Sequence, residues 1–144
     1  MSLPDPSVLD HARDLAIAYA LAFPIGWDRE REDRSAGLRT FPLVAIAACG
    51  FLQAASTAIG NEPEAVARIM EGLITGIGFI GAGAIIRSGR QVHGTATAAG
   101  LWATAAIGAA CALRAYEVAV ILAIATMATL RGLQVLKKDR PDSR

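Results

Sequence analysis

Five glycines interrupt an apolar segment near the middle of the chain, and this segment constrains the fold more than any other. It reads GLITGIGFIGAG over residues 72–83, and the apolar run continues to Ile86. Glycine inside a helix costs about 1 kcal/mol relative to alanine in water. In a membrane, small residues instead let helix backbones approach closely, because no side chain separates them. The segment therefore predicts a central transmembrane helix that packs tightly against its neighbours.

Residues 76–81 of the same segment match the glycine pattern of dinucleotide-binding turns. That pattern requires a strand before it, a helix after it and an acidic residue about 20 positions later. The preceding residues, IMEGL at 69–73, do not alternate as a strand does, and residues 96–100 hold no carboxylate. The sequence therefore favours helix packing over nucleotide binding. A buried helix of a soluble protein is the remaining alternative.

Apolar runs predict five membrane spans. A transmembrane helix needs about 20 mostly apolar residues, and charged residues crowd between the runs that approach this length. We expect a single all-α membrane domain, residues 1–144, formed by a bundle of five transmembrane helices. The predicted spans are residues 8–27, 41–59, 66–86, 97–113 and 116–136. The first is the weakest, because His11, Arg13 and Asp14 fall in its first turns and must extend to an interface.

The positions of lysine and arginine predict the orientation, because cytoplasmic loops carry an excess of both. With the N-terminus outside and the C-terminus cytoplasmic, eleven of the 14 basic residues fall on the inner side and three on the outer side. The inner set is Arg29, Arg31, Arg34, Arg39, Arg87, Arg90, Arg131, Lys137, Lys138, Arg140 and Arg144; the outer set is Arg13, Arg68 and Arg114. The acidic N-terminus lacks a basic n-region, so we expect no cleavable signal peptide.

Several functional classes find no support in the sequence. The net charge of +1 does not indicate nucleic-acid binding. The chain has no GxxxxGK[ST] loop, no HExxH and no CxxC. We therefore expect neither an enzyme nor a bound cofactor. Cys49 and Cys111 fall in separate apolar segments and are expected to be unpaired packing residues.

The segment after the first span is rich in alternating charges. It reads GWDREREDR over residues 26–34 and is followed by AGLRT at 36–40. If the helix continues, Arg29 pairs with Asp33 and Glu30 with Arg34, because residues four apart are neighbours on a helix. Two interpretations stay open. The segment is either a solvated loop that anchors two helices or an ordered network that faces a partner.

Glu71 is the one carboxylate expected inside the third span, near its outer end. An ionisable group at that depth indicates a functional site by default, and Glu71 is the only intramembrane candidate for a metal ligand. The alternative is exposure at the interface, where Arg68 is close enough to pair with it. Residues 87–97 are expected to form the following loop, with Thr95 or Thr97 as the candidate cap of the fourth helix. His93, without a second His or Cys nearby, is weak evidence for a metal.

Three blocks together resemble the MgtC/SapB family of bacterial inner-membrane proteins. Residues 26–30 with 36–40 are similar to the family's G-x-E-R-E and A-G-L-R-T-H. Residues 76–86 are similar to G-I-G-F-L-G-A-G-x-I-[IL], and residues 92–102 to V-x-G-L-T-T-A-A-x-L-W. The chain departs from these patterns in three places. Asp28 stands for the usual glutamate, Phe41 for a histidine, and Thr95-Ala96 for Leu-Thr.

The resemblance implies a multi-pass protein of the bacterial inner membrane, in a virulence-associated family linked to magnesium limitation. It implies a non-enzymatic modulator of other membrane proteins, such as the proton-translocating ATP synthase. The alternative is an oligomeric transporter subunit for Mg²⁺ or another small solute, and a homo-oligomer stays open in either case. The chain is expected to lack the C-terminal ACT-like domain of longer members. The expected functional residues are Asp28, Arg29, Glu30, Gly37, Arg39, Thr40, Glu71 and Thr97, with Gly72, Gly76, Gly78, Gly81 and Gly83 as packing residues.

Overall fold

A computed structural model describes residues 6–59, 62–88 and 91–138 of the chain, and the side chains of residues 7–59, 62–87 and 91–132. Arg90, Arg140 and Arg144 of the predicted charge pattern lie outside these residues. The elements are α1 (Pro6–Arg31), α2 (Thr40–Ile59), α3 (Pro63–Gly83), β1 (Ile86–Ser88), β2 (Gln91–His93), α4 (Thr95–Ala112) and α5 (Tyr116–Lys138). All five predicted helices are present, and the expected all-α fold is confirmed apart from one short hairpin.

Three of the helices, α2, α3 and α4, are long and apolar enough to cross a bilayer. In α1 the apolar run between Asp14 and Asp28 is short, and α5 is interrupted by Arg131. The glycine motif of residues 76–81 lies inside α3 and not at a turn after a strand, which removes the nucleotide-binding alternative. That every helix crosses a membrane, and on which side each terminus lies, stay predictions.

The centre of the bundle is α4, not the glycine-rich α3. Over the 18-residue apolar stretch of each helix, 56% of the residues are buried in α4 and 11% in α3. In α3 the buried residues are Ile77 and Gly81. The prediction of a central third helix is therefore wrong. The reason is that α4 is rich in small residues and carries no charged residue on any side, so that α1, α2, α3 and α5 all pack against it.

Two glycines of α4 allow this close packing. A Cβ added to Gly108 would lie 2.0 Å from the carbonyl oxygen of Ala45 in α2. At Gly100 it would lie 3.2 Å from the ring of Phe41, which is fully buried. The backbones of α2 and α4 therefore approach as small-residue helix pairs do in membranes.

Polar contacts define the two ends of the bundle. At one end Asp14 of α1 meets Gln53 of α2 and Tyr116 at the start of α5. At the other end Asp28 of α1 meets Arg131 of α5. Helices α1 and α5 thus run in the same direction and α2 runs against them. Fourteen residues of helix separate Asp14 from Asp28, a rise of about 21 Å.

The predicted loop between α3 and α4 contains a short β-hairpin, which the sequence analysis did not predict. Strands β1 and β2 pair antiparallel, with Ile86 opposite His93. Gly94 follows with a φ of +88°, and a Cβ there would lie 2.0 Å from the carbonyl oxygen of Ala84. Gly94 is also the N-cap of α4, and no side chain caps the helix. The predicted capping by Thr95 or Thr97 is wrong, because both residues lie inside the helix.

Candidate functional site

Asp28 lies near the end of α1 and forms the centre of a group of charges. Arg29 donates Nη2 to its Oδ2 at 2.6 Å, and Arg131 donates Nε to its Oδ1 at 2.7 Å. Burial alone would raise the pKa of Asp28, but the hydrogen bonds and charges of the two arginines outweigh it and hold the pKa below the ordinary 3.8. Asp28 therefore stays ionised and joins α1 to α5.

Arg29 carries the most deeply buried charge at this end, with a side chain 2% exposed. The same Nη2 lies 3.5 Å from Oε2 of Glu32, which also accepts from Arg34. Its Nε is buried and has no hydrogen-bond partner among the described residues. We call Asp28, Arg29, Glu32, Arg34 and Arg131 the Asp28 cluster. It holds three arginines and two acids, so it carries one net positive charge.

A second set of contacts fixes the turn between α1 and α2. Oε2 of Glu30 accepts the backbone N–H of Leu38 at 3.0 Å. A Cβ on Gly37 would lie 2.1 Å from that oxygen, and a Cβ on Gly26 would lie 3.1 Å from the carbonyl oxygen of Gly37. A side chain at residue 37 would therefore displace the Glu30 carboxylate, and one at residue 26 would press on the Gly37 carbonyl. The segment after the first span is ordered against α1, as one of the two open interpretations requires.

The two predicted helical pairs, Arg29–Asp33 and Glu30–Arg34, do not form. Helix α1 ends at Arg31, and Asp33 has a φ of +50°, so residues four apart no longer share a helix face. Arg29 instead pairs with Asp28 and Glu32, and Arg34 pairs with Glu32.

The structure does not bring the remaining predicted residues into the Asp28 cluster. Arg39 is exposed immediately before α2, Thr40 is the first residue of α2, and Thr97 is buried near the start of α4. None of the three shares a hydrogen bond or ion pair with the cluster in the described part of the chain. Their functional importance stays a prediction.

An open apolar groove of about 840 Å³ runs between α2 and α3. Its α2 wall includes Leu43 and Phe51, which are 59% and 64% exposed, and Thr40 lies at one end. Its α3 wall includes Gly72 and Gly76, where an added Cβ would meet nothing within 4 Å. The groove therefore exposes helix backbone along an otherwise apolar surface.

The five predicted packing glycines of α3 differ in their surroundings. Gly81 packs within the chain, since a Cβ there would lie 3.6–3.7 Å from Ala98 of α4. Gly72 and Gly76 face the α2/α3 groove, while Gly78 and Gly83 also have open space beside them. Packing by the other four glycines against a further molecule stays a prediction.

Glu71 is exposed on α3, next to the groove glycines. Its backbone carbonyl accepts the hydroxyl of Thr75 at 2.8 Å, and no ion pair joins its carboxylate to Arg68 in the described residues. Within those residues, no group of three or more His, Cys, Asp or Glu is placed to hold a metal ion. Glu71 thus offers a single carboxylate without a second ligand.

A polar cluster around Asp14 was not predicted. Asp14 was expected to extend to an interface, but it is 2% exposed. It accepts hydrogen bonds from Tyr116, Gln53 and Arg13. The partners lie up to 102 residues away, so spacing along the chain did not indicate them. A signal did exist, because a buried carboxylate needs donors and Gln53 is a polar side chain inside an apolar run.

Arg131 was likewise counted only toward the orientation. A single arginine inside an otherwise apolar helix indicates a paired or functional group, and that signal was present in the sequence. Its partner Asp28 lies 103 residues earlier, so the pair itself needed the structure.

Comparison with known proteins agrees with the three motif blocks. The sequence profile of the MgtC family matches residues 15–139. Protein SrpB of Synechococcus elongatus is 35% identical over 148 residues, covering 94% of this chain and 81% of the relative. No solved structure matches the chain.

Two relatives named Protein MgtC are similar over part of their length. That of Brucella abortus is 41% identical over 127 residues, which cover 85% of this chain and 52% of the relative. That of Salmonella typhimurium is 41% identical over 104 residues, covering 72% and 44%. The chain thus spans about half the length of these two relatives. Because the profile covers most of the chain, including α1 from Leu15 onward and the Asp28 cluster, the chain belongs to the MgtC family.

Proposed function

We propose that this chain is a non-enzymatic, multi-pass protein of the bacterial inner membrane that modulates another membrane protein under magnesium limitation. The observation that carries the proposal is the α2/α3 groove. Its lining is apolar apart from Thr40, and Gly72 and Gly76 leave the α3 backbone uncovered. A surface of this kind suits an apolar helix, because small residues permit close backbone approach.

The Asp28 cluster supplies a second contact in this proposal. Thr40 lies at the end of the groove nearest to the turn that Glu30 and Gly37 hold in place. A helix seated in the groove would reach the level of these charges where it leaves the apolar region. Exposed Arg34 and Arg39 are available there to polar groups of the partner.

The proton-translocating ATP synthase is the partner class that the family resemblance suggests. We would measure ATP-driven proton pumping in inverted membrane vesicles with and without this protein. The parent protein is expected to lower pumping. Gly76→Leu should restore it, because the leucine side chain would occupy the groove.

Gly78→Leu is the matched control. It makes the same substitution in the same helix, but residue 78 is rotated by about 200° from residue 76 and does not line the groove. Both variants must reach the membrane in equal amounts. If Gly76→Leu lowers pumping as the parent does, the groove is not the contact. A photo-crosslink from position 76 to a second copy of the chain would show instead that the groove is the contact surface of a homo-oligomer.

Transport is the second candidate, and exposed Glu71 is the observation that favours it. An oligomer could bring several Glu71 carboxylates together, and oxygen ligands are those that Mg²⁺ prefers. We would measure Mg²⁺ flux into proteoliposomes, with a known magnesium channel as positive control. Flux that falls in Glu71→Gln at equal reconstitution would favour the transporter. Absence of flux from folded protein would favour the modulator.

A further inference from the structure

A second groove, of about 460 Å³, lies between α1 and α5. Its walls are apolar, with Ala20 and Pro24 on α1 and Ala123, Met127 and Ala128 on α5. The one charged residue in its lining is Arg131, at the end nearest to Asp28. The groove is thus an apolar cleft on the surface of the bundle, and the positively charged side chain of Arg131 lies at one end of it.

Local sequence explains why the two helices leave this space. Ala20, Ala123 and Ala128 have side chains too short to fill it. Pro24 lies inside α1, where its ring replaces an N–H and leaves the carbonyl of Ala20 without its helical donor. The helices meet at Asp28 and Arg131 and again at Asp14 and Tyr116, so the groove is held open between two polar contacts.

Arg131 is able to bind an anion without giving up its contact to Asp28. It uses Nε for that hydrogen bond, and its side chain is 58% exposed. Its two terminal nitrogens have no acceptor among the described residues. Asp28 also accepts a hydrogen bond from Arg29, so this one carboxylate is shared by two guanidinium groups.

We propose that this groove binds an anionic phospholipid, with an acyl chain along Ala20, Pro24 and Ala128 and the phosphate on the terminal nitrogens of Arg131. Guanidinium groups bind phosphate oxygens with charge-assisted hydrogen bonds. Basic pockets between helices on the cytoplasmic side of a membrane bind anionic headgroups in the same way. A zwitterionic lipid also fits the apolar walls, but the cationic part of its headgroup would be repelled by Arg131. A partner helix would need an acid placed at that level.

The inference rests on the membrane location and not on the modulator role. The two are therefore tested apart, because α1 and α5 form this groove while α2 and α3 form the other. Loss of partner modulation in Gly76→Leu would not alter lipid binding here.

Trp27 is a natural probe for this lipid, since it follows Pro24 by three residues on α1 and is 47% exposed. We would use the full chain with Trp102→Phe, which leaves Trp27 as the single tryptophan. Fluorescence quenching would be compared between vesicles with brominated phosphatidylglycerol and with brominated phosphatidylcholine. The anionic lipid should quench at about fivefold lower mole fraction, the factor expected for one basic residue near the membrane surface.

Substitutions then locate the site. Arg131→Gln should make the two lipids equal, and Arg131→Lys should keep most of the preference. Arg39→Gln removes another exposed arginine near the same end and should leave the preference unchanged. If Arg131→Gln keeps the preference, or if the parent has none, the proposal is wrong.

Two further comparisons separate the groove from the charge. Ala128→Phe should fill the groove and reduce the preference, whereas Ala125→Phe, exposed on α5 but outside the lining, should not. This pair also covers the case in which Arg131→Gln does not fold. Excess inorganic phosphate should not displace the lipid. Loss of the preference in its presence would indicate a free-phosphate site and overturn the lipid assignment.

Discussion

Asp28 holds two guanidinium groups, and that of Arg29 is almost fully buried. Asp28→Asn would leave Arg29 with Glu32 at 3.5 Å as its remaining acid. Removing one partner of a buried ion pair costs about 3–5 kcal/mol. Arg131 is more than half exposed and adds little, so we expect a loss of about 3 kcal/mol, measured by unfolding in detergent. Asp33→Asn is the control, because Asp33 is exposed at a positive φ that asparagine tolerates. Equal stability of the two variants would contradict the role of Asp28.

The same carboxylate predicts a pH dependence. The pKa of Asp28 is lowered below 3.8 in the folded protein, so its stabilisation is present above that value and is lost as the pH falls through the folded pKa. The difference in unfolding free energy between the parent and Asp28→Asn should stay constant from about pH 7 to about pH 5 and shrink below about pH 4. A difference that fades near neutral pH would mean that another group titrates.

At the scale of the helix, the contact between α2 and α4 depends on Gly108. Gly108→Ala places a methyl group against the carbonyl of Ala45, a backbone atom that cannot rotate away. We expect a loss of at least about 2 kcal/mol, because overpacking a tight contact costs about 1–3 kcal/mol or more. Gly72→Ala, with open space beside it, is the control and should be neutral or stabilising. Thermal unfolding in detergent measures both, and equal midpoints would contradict the close packing.

The helices themselves were predictable because long apolar runs report them directly. The predicted span 41–59 compares with Thr40–Ile59, and 97–113 with Thr95–Ala112. Which helix lies at the centre of the bundle was not predictable. Glycine content alone does not say whether a small residue faces a neighbour, as Gly108 does, or open space, as Gly76 does. In the candidate site, Asp28 and Arg29 were found from a local motif. Arg131 was not, since nothing along the chain ties residue 131 to residue 28.

At the scale of the whole molecule, the positive-inside bias predicts which end of the bundle faces the cytoplasm. The structure puts the α1/α2 turn and the α4/α5 turn at opposite ends. We would place one cysteine at Asp33 or at Leu113, both exposed, in a chain without Cys49 and Cys111. The positive-inside bias predicts that a membrane-impermeant thiol reagent labels Leu113→Cys from outside intact cells and Asp33→Cys after lysis only. The reverse pattern would invert the predicted orientation.

The adjacency of Asp28 and Arg29 also bears on how the protein is made. Their ion pair lies within one turn of α1, so it can form as soon as this helix leaves the ribosome. If α1 spans the membrane as predicted, the deeply buried arginine has a local counter-charge during insertion, before any other helix exists. Arg131 is synthesised about a hundred residues later and joins a pair that is already in place. On the predicted five-span topology we therefore expect docking of α5 on α1 to be a late step in biogenesis, after Asp28 has already neutralised Arg29.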